Sequence, residues 1–97
     1  MQAQKPTPMT IDLSKYIDTT FYGERPHIRG RRVLVSMIAA NARENDWSVA
    51  RLAHEFSLSE AEVLAALLYY DEHKDEIERQ DAEEQRLFDA MYIQQQP

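Results

Sequence analysis

The chain has 97 residues, 43% of them hydrophobic and 29% charged, with a formal net charge of −6 and no cysteine. A chain this short builds one small core, which leaves little polypeptide to wall a substrate pocket and argues against an enzyme. The missing cysteines exclude a disulfide framework, a zinc–thiolate site and a thiol nucleophile, and the longest nearly apolar run, 33–40, is too short to span a bilayer.

Charge is divided unevenly. Residues 1–51 hold eight Lys/Arg and five Asp/Glu, residues 52–97 three and twelve, so the halves carry +3 and −9. The basic part is densest at Arg25, Arg29, Arg31 and Arg32, around His27. The acidic part is densest from Asp71 to Glu84, with eight carboxylates against Lys74 and Arg79. A local basic cluster can still meet nucleic acid or an acidic partner, and an acidic end a basic one. The plainer reading of Asp71–Glu84 is a solvated helix face, with Asp75 and Glu76 spaced to pair with Arg79.

In chain order, residues 1–10, with Pro6 and Pro8 and no periodicity, read as an extended arm. The N-terminus lacks the apolar segment of a signal peptide, so the expected location is cytoplasmic. Both glycines, Gly23 and Gly30, and Pro26 fall in the first third, which should hold strands and turns, and the rest should be mainly helix. Tyr16–Tyr22 is β-branched and aromatic and predicts a short strand. His27–Ile28 and Arg32–Val35 flank Gly30 and predict a tight hairpin. A first helix is expected over Ser36–Asn45, with the stripe Val35, Ile38, Ala39 and Ala42.

Ser48 can cap a second helix, 48–56, whose apolar face is Val49, Leu52, Ala53 and Phe56. After a short turn, Ser59 and Glu62 have the spacing of a capping box and open a third helix with the face Val63, Leu64, Leu67, Leu68 and Tyr70, reaching His73 or as far as Gln80. Helices 48–56 and 59–70 have the proportions of a helix-turn-helix, although any small helical bundle contains such a pair. Trp47 should anchor the core between helices. A last amphipathic piece carries Leu87, Phe88, Met91 and Tyr92, either continuing the third helix or separate from it. The expected fold is a mainly α three-helix bundle behind a short β segment, with an acidic C-terminal helix. The expected organisation is an arm, 1–10, a domain, 11–80, and a tail, 81–97.

The stretch Gly23–Val35, GERPHIRGRRVLV, resembles the hallmark Gly-x-Arg/Lys-Pro-x-Ile-x-Gly-Thr-Arg-Ile-Pro-Val of the domain of unknown function 433 family. Gly23, Arg25, Pro26, Ile28, Arg29, Gly30, Arg32, Val33 and Val35 match in order. Downstream, Leu58, Ser59, Glu62, Val63, Ala66, Leu67 and Tyr69 follow the family's third helix, so the likeness covers about residues 16–78. Arg31 stands where Thr is usual and Leu34 where Pro is usual. The resemblance implies a homeodomain-like helical protein, an antitoxin that neutralises a PIN-like nuclease toxin and binds operator DNA as a dimer. The alternative is a dimeric DNA-binding transcription regulator or adaptor with no toxin.

Candidate sites follow. The start of the third helix carries Glu60 and Glu62 and no basic residue, which suits the helix dipole better than a DNA groove. DNA contacts are therefore expected at Arg25, Arg29, Arg31 and Arg32, with Arg43 and Arg51 on the backbone. The competing reading pairs these arginines with carboxylates of the same fold or of a second subunit. A nuclease partner would meet Arg25, Arg29 or Arg32 at its carboxylate-bound metal site, and Leu87, Phe88, Met91 and Tyr92 in a groove. For that quartet, packing on its own domain or on a dimer mate is slightly favoured. His27, His54 and His73 form no metal-ligand pair, and there is no phosphate loop or nucleophile elbow, so no catalytic residue, metal or cofactor is expected. A homodimer through the strand region or the last helix is expected.

Overall fold

The computed structural model describes residues 12–20 and 25–95, with side chains to Tyr92. The expected arm at 1–10 lies outside the described residues, as do Phe21, Tyr22 and Gly23. After a single 3-10 turn, Leu13–Lys15, come strands β1 (Ile17–Asp18) and β2 (His27–Ile28) and helices α1 (Val35–Glu44), α2 (Val49–Phe56), α3 (Glu60–Glu72) and α4 (Lys74–Gln95). The architecture is mainly helical, with a short antiparallel two-stranded sheet ahead of the helices.

Of the strand expected over Tyr16–Tyr22, the described part, Tyr16–Thr20, is regular at Ile17 and Asp18. The Asp18 carboxylate accepts hydrogen bonds from the Thr20 N–H (2.9 Å) and hydroxyl (2.7 Å), which turns the chain out of the ladder. In the sheet Ile17 pairs with Ile28 and Asp18 with His27. The turn at Gly30 forms: the Arg31 N–H donates to the Ile28 carbonyl, the Ile28 N–H to the Val33 carbonyl and the Val35 N–H to the Pro26 carbonyl, each at 2.9 Å. Gly30 has φ +79°, with nothing within 4 Å of where a Cβ would stand, so only its backbone conformation calls for glycine. Beyond the turn a lone bridge joins His27 and Leu34 before the chain winds straight into α1. The second arm of the hairpin is thus one residue long, because Val35 is already helical and buried.

The helices form where the apolar spacing places them. Val35, Ile38 and Ala39 of α1 and Leu52 and Ala53 of α2 are buried, with Ala42, Trp47, Val49 and Phe56 partly so. Ser48 accepts the Arg51 N–H (3.1 Å) at the start of α2, and Ser59 and Glu62 make the reciprocal capping box of α3 (3.1 and 2.8 Å). Ser57 takes the left-handed conformation at the end of α2.

Helix α3 is central and touches α1, α2, α4 and both strands. That position explains two departures from the expected face. Ala65 and Ala66 are buried, their small side chains letting neighbours approach, while Leu64 stays 54% exposed.

The third helix stops at Glu72. The His73 N–H closes α3 on the Tyr69 and Tyr70 carbonyls, while the His73 carbonyl accepts the Ile77 N–H and starts the next helix. The His73 ring stacks on Tyr69 at 4.0 Å, with Nδ1 3.0 Å from the Tyr69 carbonyl oxygen. Leu87–Tyr92 therefore belongs neither to an extended third helix nor to a separate short one. It lies on a 22-residue helix that also holds the acidic stretch from Asp75 and runs unbroken through residues 80 and 81.

Candidate functional site

The arginines of the signature segment have separate employments. Arg25, its side chain only 15% exposed, bonds to the carboxylates of Asp81 and Glu84 on α4 and reaches the Ser36 hydroxyl at 3.3 Å. It ties the loop and the start of α1 to α4. Arg29 donates to the Ser14 and Ile17 carbonyls (3.0 and 3.2 Å) and pairs with Asp18 (3.2 Å), stitching the turn to β1. Arg31 donates to the Phe56 and Ser57 carbonyls (2.9 and 2.8 Å), so it serves the open C-terminal end of α2. Arg32 is exposed and, among the described residues, has no hydrogen-bond or ion-pair partner.

The two backbone candidates on the helices are half exposed and already engaged. Arg43 lies 5.1 Å above the Tyr70 ring and 3.5 Å from Glu78, whose carboxylate also accepts the Tyr70 hydroxyl at 2.8 Å. This trio joins α1, α3 and α4. Burial and the bond to Glu78 raise the Tyr70 pKa above its ordinary value. Arg51 sits 4.4 Å over Trp47 and 3.7 Å from Glu55. Arg25, Arg29, Arg31, Arg43 and Arg51 thus each hold their own part of the fold, and Arg32 alone of the six does not.

Asp18 is the best-served carboxylate. Bonds from the Thr20 hydroxyl and N–H, with Arg29 and His27 nearby, hold its pKa below the ordinary carboxylate value despite some desolvation. His27, buried beside it, has Nδ1 3.0 Å from the Arg25 carbonyl oxygen.

The acidic stretch keeps its charge outward. Asp71, Glu72, Asp75 and Glu76 are exposed without a hydrogen bond or ion pair, and with His73, Lys74 and Arg79 they line a shallow depression over the α3–α4 joint. No group of three or more His, Asp or Glu among the described residues is arranged to hold a metal ion. No helix among them is long and apolar enough to cross a membrane.

Further along α4, Leu87, Phe88, Met91 and Tyr92 are 50%, 64%, 59% and 59% exposed. Among the described residues, no part of the domain covers them, which leaves the dimer mate of the two readings slightly favoured together. Ile77, Asp81, Glu84 and Phe88 follow one another at three- and four-residue steps, so the quartet continues the face that meets the domain at Ile77 and Arg25. Two shallow grooves flank the clamp and share Glu84: one lined by Arg25, Arg32, Leu34 and Met37, the other by Asp81, Gln85 and Phe88.

Sequence reasoning named the arginines but not the partners that hold Arg25. Asp81 and Glu84 lie 56 and 59 residues away and carry no local signal. No curated relative and no solved structure matches the chain. Residues 17–70, more than half of the chain and the whole of β1 to α3 save its last two residues, match the family described as protein of unknown function (DUF433), and the chain belongs to that family.

Proposed function

We propose that this chain is an antitoxin-like regulator in the cytoplasm, binding and neutralising a nuclease of the PIN type. The supporting observation is the balance of charge left over once the fold has paired its own. Among the described residues, Arg32, Lys74 and Arg79 are the basic side chains without a hydrogen bond, ion pair or ring contact. Glu44, Asp46, Glu60, Asp71, Glu72, Asp75 and Glu76 are the carboxylates in that condition. Three against seven favours a basic partner over a polyanion. A nuclease that grips RNA presents such a basic surface, and the carboxylates at the α3–α4 joint are the natural counterpart. The acidic start of α3, where Glu62 closes the capping box and Glu60 stays open, weakens the reading of that helix as a DNA reader.

The test is co-expression of the tagged chain with the products of the reading frames adjoining its gene. Retention of a nuclease, relief of the growth arrest it causes, and loss of both on Asp75→Lys with Glu76→Lys are expected. Failure of every such product to be retained would remove the reading.

One observation favours the alternative, a dimeric DNA-binding regulator: Arg32 has no partner among the described residues, and Arg43 and Arg51 keep half of their side chains in solvent. That reading requires a shift of the upstream DNA at low salt, steeply weakened by added salt and by Arg32→Ala.

A further inference from the structure

Among the described residues the quartet on α4 is a face without an occupant, and three features of the molecule say what fits it. First, its surroundings are almost uncharged. The −9 of residues 52–97 lies wholly in 52–84, since residues 85–97 carry one Arg and one Asp. A second copy is therefore not repelled here, and a basic partner finds nothing special to recognise. Second, the charge order along α4 selects a direction. Side by side in parallel, two copies would set Asp81 and Glu84, on the face shared with Phe88, against themselves, while Asp89 stands level with its own copy in either direction but lies off that face. Antiparallel, with Leu87 facing Met91 of the other copy, Glu84 falls opposite the uncharged position 94, and the acidic halves diverge. Third, the face continues onto the domain. A helix laid antiparallel along the quartet reaches Glu84 and then the groove with Leu34 and Met37, the latter 40% exposed.

We infer that this chain forms a two-fold symmetric dimer through the distal half of α4, each copy's Leu87, Phe88, Met91 and Tyr92 packing antiparallel on the other's and its helix end lying against Leu34 and Met37. Each interface element is used twice, as an isologous contact requires. The covered surface comes to about 500 Å² per copy, about 1,000 Å² in all, which is the lower edge for a specific interface. The dimer is accordingly weak, dissociating in the micromolar range. The nuclease reading is independent of it: the carboxylates at the α3–α4 joint lie two to three helical turns away and stay open in the dimer.

Sedimentation equilibrium of the full chain from a few to several hundred micromolar tests the assembly. A monomer–dimer equilibrium is expected, weakened at least tenfold by Phe88→Glu or Met91→Glu and unchanged by Leu64→Glu, which alters an exposed leucine elsewhere. Circular dichroism spectra and melts of dilute samples check that the variants fold. A monomer at every concentration, or a dimer indifferent to Phe88→Glu, overturns the inference. The direction is read from a spin label on Arg79→Cys, the only cysteine in that variant. Antiparallel packing with Leu87 facing Met91 sets the two backbones at position 79 about 30 Å apart along the helix axis. A parallel pair, also overturning the inference, brings them within about 10 Å.

Discussion

The apolar stripes of α1–α3 and of distal α4 are built alike and end differently. Ile38, Leu52 and Val63 lose all contact with solvent, whereas Leu87, Phe88, Met91 and Tyr92 keep half or more of their surface in it. Side-chain chemistry does not separate them, because the exposed set is larger and more aromatic. Periodicity does not either, since both sets repeat at helical steps. The difference is what stands opposite. Helix α3 has neighbours around most of its circumference, while α4 meets α1 and α3 near its start and leaves the domain after the Arg25 clamp. A stripe at helical spacing declares that a face is suited to cover, and the topology decides whether the same chain supplies it.

Truncated side chains on the enclosed and the exposed stripe separate the two regions most directly. Ile38→Ala, at a fully enclosed site, should cost about 2–5 kcal/mol in urea denaturation. Phe88→Ala, measured where the chain is dilute, should change stability by less than about 0.5 kcal/mol. Equal losses would mean that distal α4 is as much a part of the monomer's core as α1 is. Arg25→Met comes next, at about 1–2 kcal/mol, since it removes charge-assisted bonds whose carboxylate partners remain half in solvent. Its sharper signature is hydrogen exchange. Amides of α4 beyond position 78 should exchange faster while those of α3 hardly change. Uniform acceleration would show that the clamp stabilises the whole domain and not the placement of α4. Ser59→Ala, which opens one side of the capping box, should cost about 1 kcal/mol and act on α3 alone.

What the sequence discloses follows the range of the interactions involved. The capping box, the Ser48 cap and the stripes of α1 and α2 are set by residues three to seven apart, and the fold keeps each of them. The stretch after Ile17 is different: Tyr16–Tyr22 has strand composition, yet a side-chain bond from Thr20 to Asp18 competes with the ladder and wins. Leu64 fails as a core residue because the directions from which α3 is covered depend on where α1 and α2 pack, which no window along α3 contains. The arginine cluster is the clearest case. Arg25, Arg29, Arg31 and Arg32 lie within eight positions and look alike in composition, but their partners are a distant helix, the first strand, the end of α2 and solvent. Only long-range contacts distinguish them, and of the four Arg32 alone has no hydrogen-bond or ion-pair partner among the described residues. The break at His73 was equally hidden, since His73 carries neither a proline nor a glycine signal.

The smallest effect concerns the sheet that the family segment opens with, and it is read from acid. Asp18 is held below its ordinary value of 3.8 by bonds from Thr20, with Arg29 and His27 adding to them. A carboxylate whose pKa is depressed on folding stabilises fully above the ordinary value, where both states are ionised. As the pH falls below that, the unfolded chain takes up the proton first, and the contribution disappears as the folded value is crossed. Asp12 and Glu83 shift in the same direction, by bonds from Ser14 and Arg86, but both are exposed and screened. Urea midpoints between pH 6 and pH 2 should therefore fall below about pH 4, and Asp18→Asn should flatten that fall while lowering stability at pH 6 only slightly. Added salt separates the causes. A fall that survives 0.5 M salt is carried by the Thr20 bonds, and one that vanishes is carried by Arg29. An unchanged acid slope in Asp18→Asn would instead place the acid sensitivity on Asp12 or Glu83, the other carboxylates held below their ordinary values, and not on the sheet.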